Sequence, residues 1–523
     1  MDKEVSVDEL IVENQALKAE LAETKQKLSW LMEQISSTHR KLYGPSSEKS
    51  VYDGVVVQVS LFEESEPEIF ISSALADEAT PPKAKPKKRG EMGTRLPNNL
   101  PVEIIECTLP EDEQICPTHG APLQVLGREL VRRELKFTPA KATIVEYWRS
   151  SYSCRACDTE GTEATIVKAP MPPQVIKGSM CAPETIAHII AQKCVMGAPL
   201  YRQEQDWRRN GIPITRQTMA NWLIRCSEEY FEPIYAELHR LLCLRQFLHV
   251  DETTFQVLRE PGKPAQSKSQ MWMYRTSGDT QHPIVLYDYQ PDRKQERPRE
   301  FLKNYSGFLM CDGYTAYHGL PDNIVVVGCF AHVRVKFSDA LKCLKEEDRP
   351  GSLALIGKQY CNKLFDIERE IKDEDFVTRF QIRDEKAVPV LNEFHAWLER
   401  TGAYVAHKTK LGVAIGYALN QWPYLRRYLL DGRIEISNNR GERSIKPFVI
   451  NRKNFLFATS VAGARAAAVL HSMTETAKEN GLNPFSYLTY VLHSAAGGDI
   501  RHDADLVKRL LPENAPTTCL AIE

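Results

Sequence analysis

Phe247-Leu-His-Val-Asp251, continuing through Thr253-Thr-Phe-Gln-Val257, and later Gly307-Phe-Leu-Met-Cys-Asp312 are the stretches on which the fold turns. Upstream, to about Leu242, apolar residues recur at helical spacing. After Arg245 the period changes to two, the spacing of a strand with one face buried. The first stretch reads as one strand, Met271–Thr276 as a second and Pro283–Tyr289 as a third. A helical stretch around Arg299–Tyr305 follows, then Gly307–Asp312 as a short apolar strand ending on a carboxylate, and Ile324–Val327 as a fifth strand.

Three strands in a row, then helix, strand and helix-linked strand, is the order of a ribonuclease-H-like mixed β-sheet with flanking helices. In that order the first and fourth strands are neighbours, so Asp251 and Asp312 are expected to approach each other. Two carboxylates brought together repel unless a cation sits between them, and hard oxygen ligands suit Mg²⁺ or Mn²⁺. A third acid completes a site for two such ions, one activating the attacking water or 3′-hydroxyl and the other stabilising the leaving oxygen. Glu442 is the best third acid, in Ser437-Asn-Asn-Arg-Gly-Glu-Arg-Ser-Ile-Lys-Pro447; Glu435 is the next candidate. Ser437 or Asn438 is expected to cap a short helix that Pro447 ends, with Arg440, Arg443 and Lys446 around the acid to meet phosphates. Any one of these acids alone reads as an ordinary strand cap or surface ion pair; the combination does not.

At 523 residues the chain is too long for one core and calls for several units. Its net charge of −2 hides blocks of opposite sign: acids from Glu63 to Glu78, then Lys83, Lys85, Lys87, Lys88 and Arg89. A second basic stretch, Arg433, Arg440, Arg443, Lys446, Arg452, Lys453 and Arg465, lies in the last fifth. Thirteen scattered cysteines and no leader or long apolar run point to a reducing cytoplasm, with no membrane partner.

Four further features carry expectations. Val7, Asn14, Leu21, Leu28, Ile35 and Leu42 share one heptad position and Leu10, Leu17, Thr24 and Leu31 the other, a coiled-coil seam that predicts at least a homodimer through residues 1–43. A single amphipathic helix packed on its own protein is the alternative. The polar, proline-rich stretch 44–100 reads as a linker. Cys116-Pro-Thr-His119 and Cys154-Arg-Ala-Cys157 are two knuckles that can close one structural Zn²⁺ site in a small β-rich domain, residues 101–176. Within a helical region at 177–243, Trp207–Trp222 reads as helix, Gly/Pro turn and second helix capped by Thr215, presenting Arg216, Gln217 and Asn221 to DNA.

The chain resembles the insertion sequence 66 family of transposases, bacterial DDE enzymes. The resemblance rests on Leu42-Tyr-Gly-Pro-Ser-Ser-Glu-Lys49, His249-Val-Asp251-Glu-Thr-Thr, Cys311-Asp312-Gly-Tyr-Thr-Ala-Tyr317 and Cys329-Phe-Ala-His332-Val-Arg-Val-Lys-Phe337. Its most specific part is Ser437–Arg443 running into Asn451-Arg-Lys-Asn-Phe-Leu-Phe457, and Gly481–Leu488 extends it towards the end. It implies the acids Asp251, Asp312 and Glu442, a zinc-binding segment before the catalytic core, and a helical region between the second and third acids. Val333-Arg-Val-Lys336 departs from it, since the family more usually has a denser run of arginines there.

The expected architecture is a multidomain α/β protein. The catalytic core is split into 244–345 and 425–480 by a helical insertion at 346–424, and a helical tail follows at 481–523. Arg452, Lys453 and His332 join the expected DNA-contacting residues; Cys329 and His332 lack partners as a zinc pair, which favours a structural or substrate-positioning role. The expected activity is metal-dependent cleavage and strand transfer at terminal inverted repeats and target DNA, with two Mg²⁺ or Mn²⁺ per site. Other proteins of the same element are possible accessories, and a bacterial nucleoid-associated location is expected. A silent zinc and helix-turn-helix regulator, or a structure-selective nuclease on the same fold, are the competing readings.

Overall fold

The computed structural model describes residues 142–149, 151–153, 166–168 and 170–521. These fall into two compact units, one ending at Pro172 and the other beginning at Pro173. In the first, β1 (Ser151–Ser153) and β2 (Ile166–Lys168) form an antiparallel ribbon with Ser153 opposite Ile166. The expected zinc ligands Cys116, His119, Cys154 and Cys157, and the heptad seam of residues 7–42, lie outside the described residues.

The second unit opens with α1 (Pro183–Ile190), α2 (Leu200–Arg209), α3 (Arg216–Cys226) and α4 (Glu232–Cys243). Gly211, at φ +77°, makes the turn after α2, where a residue with a Cβ would be strained. Thr215 caps α3 as its sequence implies, its Oγ1 accepting from Thr218 N at 3.2 Å. Ile186, Ile190, Met219, Phe231 and Leu242 are fully buried in one core.

The sheet then forms from β3 (Phe247–Arg259), β4 (Lys268–Thr276), β5 (Val285–Gln290), β6 (Gly307–Cys311) and β7 (Ile324–Gly328), in the order β5-β4-β3-β6-β7. The first three run antiparallel, while β6 joins β3, and β7 joins β6, in parallel. Between them lie α5 (Glu296–Phe301) and α6 (Thr315–His318). The helix expected around Arg299–Tyr305 therefore starts earlier. Pro298 sits in its first turn, where the amide it lacks would have had no helical partner.

Alternation along β3 separates two cores. Leu248 and Val250 join Trp272, Tyr274 and Leu286 in the core shared with the N-terminal helices, whereas Phe255 and Val257 join Met271, Met273 and Tyr287 in another. Phe247 lies in a third with Met310 and Val327, packed against the helices that follow β7. These are α7 (Phe330–Lys342), α8 (Leu353–Glu370), α9 (Phe376–Ile382), α10 (Val388–Gly402) and α11 (Lys410–Leu425).

The chain returns through α12 (Asn439–Phe455), β8 (Phe457–Ser460), which pairs in parallel with the far end of β3, and α13 (Val461–Glu479); α14 (Pro484–Ala495) follows. Helix α12 corrects an expectation: it runs straight through Pro447 to Phe455. Burial of Ile445, Phe448 and Val449 against β3, β4 and β5 holds the helix across the missing hydrogen bond. Helix α13 lies along the edge strand β5. Ser472 Oγ accepts from Tyr287 N at 2.8 Å, and Thr476 Oγ1 accepts from Val285 N at 3.1 Å and donates to Val285 O at 2.9 Å. An edge that would otherwise recruit another strand is thereby closed.

Candidate active site

Sheet register decides the position of the first two acids. Phe247, Leu248 and His249 pair with Phe308, Leu309 and Met310, so two residues further on Asp251 and Asp312 lie side by side on adjacent parallel strands, about 5 Å apart in backbone. Asp251 Oδ1 accepts from Glu252 N at 2.8 Å, and Asp312 Oδ1 from Tyr314 N at 2.9 Å. Burial, together with the charges of Glu252, Asp312 and Glu442, pushes the Asp251 carboxyl well above the usual carboxylate range.

Glu442 reaches the same place from the first turn of α12. Burial and the charge of Asp312 push it up to about 7, against the pull of Arg443. Its Oε1 is buried without a hydrogen-bond partner. Glu435, the alternative third acid, goes elsewhere. Its Oε1 accepts from Arg440 Nε at 2.6 Å and lies 3.8 Å from His249 Nε2. Burial alone would raise its carboxyl, but His249 and Arg440 hold it below its ordinary value.

Asn438 stands at the N-cap position of α12, yet its side chain does not cap the helix. It is buried, and its Nδ2 donates to Val250 O at 2.8 Å while its Oδ1 faces His249 Nδ1 at 2.9 Å. Its backbone N–H donates to Cys329 Sγ at 3.1 Å, and Phe330 N donates to Ile436 O at 3.1 Å. The strand carrying Asp251, the start of α7 and the start of α12 are thus tied at one point.

The basic residues divide. Arg443, Lys446 and Lys453 are exposed along α12, whereas Arg440 is held by Glu435 and Arg452 donates to Thr254 O and Oγ1. Arg216, Gln217 and Asn221 are exposed on α3, with Gln217 Nε2 donating to Asn221 Oδ1 at 2.9 Å. His332 sits on α7 with Nδ1 3.7 Å from Glu442 Oε1.

One residue was missed. Glu252 points to the opposite sheet face from Asp251, its side chain 2% exposed. Arg293 Nε donates to it at 2.8 Å and Tyr317 OH donates to its other oxygen. Burial and the charge of Asp312 push it up to about 7. An acid at the next position of a strand gave the only sequence signal; its partners Arg293 and Tyr317 lie too far along the chain to be paired by pattern.

The model of a family described as "Transposase IS66 family" matches residues 178–466, more than half of the chain and every one of these acids. The chain belongs to the IS66 transposase family. Three further models of the same group match it: "Transposase C of IS166 homeodomain" over 30–105, "zinc-finger binding domain of transposase IS66" over 113–158 and "IS66 C-terminal element" over 472–512. The protein is a DDE transposase of an insertion sequence. The zinc-finger match spans Cys116, His119, Cys154 and Cys157.

Two uncharacterized proteins of Sinorhizobium fredii, y4qI and y4jD, are similar to the transposase along most of their lengths. The first is 29% identical over 95% of this chain and 91% of its own, the second 29% over 80% and 81%. Among the described residues of the transposase no helix is long and apolar enough to cross a membrane.

Proposed function

We propose that the transposase cuts and joins DNA at a two-metal site formed by Asp251, Asp312 and Glu442 on a ribonuclease-H-like sheet. The observation that carries this reading is the convergence itself: adjacent parallel strands supply two acids and the first turn of α12 supplies the third, with the Asp312 charge raising the proton affinity of Asp251 and Glu442. Three oxygen-donor side chains with an unpartnered Glu442 Oε1 fit hard divalent cations such as Mg²⁺ or Mn²⁺. Such ions, when bound, activate a water or 3′-hydroxyl and stabilise the leaving oxygen.

The residues of the chain supply the rest. Asp251, Asp312 and Glu442 hold the ions where β6 ends beside β3, a place that the sheet keeps rigid. The exposed face of α12, with Arg443, Lys446 and Lys453, receives phosphates beside the acids, and Arg216, Gln217 and Asn221 on α3 meet a second stretch of DNA. Cys116, His119, Cys154 and Cys157 bind one structural Zn²⁺ in residues 101–176. Residues 1–43 pair two copies, the 44–100 linker tethers them, and the insertion at 346–424 buttresses the acids from one side. Terminal repeats and target DNA are the substrates.

The test is a labelled element-end duplex incubated with Mg²⁺ and the full chain. Asp251→Asn, Asp312→Asn and Glu442→Gln should each lower cleavage by about a thousandfold while DNA binding persists. Cleavage by Glu442→Gln at the parent rate would remove that residue from the site; binding without cleavage by the parent chain would favour a silent regulator.

A further inference from the structure

Cys329, His332 and Glu442 offer a sulfur, an imidazole nitrogen and a carboxylate oxygen that lie within 4.8 Å of one another. Cys329 is the residue before α7 and His332 follows within its first turn, while Glu442 arrives from α12. His332 Nδ1 and Glu442 Oε1 are 3.7 Å apart, too far for a hydrogen bond, and both atoms are buried with no other partner. Buried polar atoms left unpaired in this way call for a ligand that collects them. The sulfur is also fixed in place, since Asn438 N donates to it at 3.1 Å and the Asn438 side chain is anchored on Val250 and His249. The Cys-x-x-His pair that lacked partners in the sequence has a third donor in the fold.

Donor type decides what fits. One thiolate, one imidazole and one carboxylate suit Zn²⁺, Co²⁺ or Cd²⁺, with a fourth position left to water; Mg²⁺ has little affinity for sulfur. We propose that Cys329, His332 and Glu442 form a site for a thiophilic divalent cation whose occupancy takes Glu442 from the hard-cation site and silences strand cleavage. Binding releases the Cys329 thiol proton and all but one of the ion's water ligands to solvent as Zn–S, Zn–N and Zn–O bonds form, with no redox change. The inhibitory half rests on the role given to Glu442 above; the binding half does not.

The experiment uses the full chain, stripped of all but its most tightly held zinc and kept in Mg²⁺, then titrated with Co²⁺. The parent should take up one more ion with a thiolate-to-cobalt charge-transfer band. Cys329→Ser should lose that band, and His332→Ala should bind about tenfold more weakly or worse. His332→Ala also serves should Cys329→Ser fail to fold. Equal uptake and equal bands in parent and variants, or no further uptake by the parent, would overturn the site. In Mg²⁺-supported cleavage, added Zn²⁺ should inhibit the parent at concentrations about tenfold below those needed for Cys329→Ser, read as each protein's fraction of its own zinc-free rate. Cobalt uptake without zinc inhibition would overturn the inhibitory half and count against Glu442 as a catalytic ligand. Loss of cleavage in Glu442→Gln together with no cobalt uptake by the parent would overturn the site and leave the catalytic reading standing.

Discussion

Asn438 Oδ1 lies 2.9 Å from His249 Nδ1, joining two buried residues 189 positions apart. Because Asn438 donates through Nδ2 to Val250 O, its Oδ1 is the acceptor and His249 Nδ1 carries the proton. Asn438→Ala leaves that donor and Val250 O without this partner, at a cost of about 1–3 kcal/mol in stability. It also frees the start of α12, so cleavage should fall further than DNA binding. Urea denaturation and the duplex assay together check this; unchanged cleavage would show that α12 is held without Asn438.

The acids should set a pH dependence of stability in metal-free protein. Glu442 is raised from 4.5 to about 7 in the folded chain, and Asp251 is raised as well. Between those values the folded state binds more protons than the unfolded state. Its contribution is therefore fully present below 4.5 and lost as pH rises through about 7. Mg²⁺ competes with those protons, so the melting temperature should gain more from Mg²⁺ at about pH 8 than at about pH 5. An equal gain at both would argue against these carboxylates as ligands.

Arg383 should be a point of failure for the helices between β7 and α12. It is fully buried, paired with Glu368 through Nε and Nη2 at 2.8 and 2.7 Å, and it donates to the carbonyls of Tyr428, Asp431 and Ile434. Those carbonyls belong to the segment leading into α12. Arg383→Ala leaves Glu368 with only the longer contact to Arg379 at 3.4 Å, takes one donor from each of three carbonyls, and should cost about 3–5 kcal/mol. Thermal unfolding reads the loss, and a variant as stable as the parent would refute it.

One structural zinc per chain is expected from Cys116, His119, Cys154 and Cys157. Elemental analysis of protein purified without chelator should find it, and Cys154→Ser should lose it together with the fold of that segment. Protein free of zinc would refute the assignment.

Deleting residues 1–43 should lower the oligomeric state while leaving zinc content and single-end nicking largely unchanged. Light scattering of the isolated segment checks the pairing: a helical monomer would favour packing on its own protein, and an unfolded monomer would refute the zipper.

Much of this was legible in the sequence because its signals are local. The period of two after Arg245 marked β3, β4 and β5, Thr215 marked the start of α3, and the short strand Gly307–Cys311 is followed at once by Asp312. The helix past Pro447 was not legible, since a proline's local cost is outweighed only by packing of Ile445, Phe448 and Val449 that the sequence does not display. The sequence by itself determined which residues were acids, which stretches were strands, and hence that Asp251 and Asp312 would meet. Only the tertiary structure decided that Glu442 joins them while Glu435 turns to Arg440 and His249, that Glu252 is buried behind them, and that Cys329 and His332 face Glu442. Backbone pattern fixes neighbours along one strand or helix. Which side chain of a distant helix faces a sheet depends on where that helix is packed, and that is a property of the whole core.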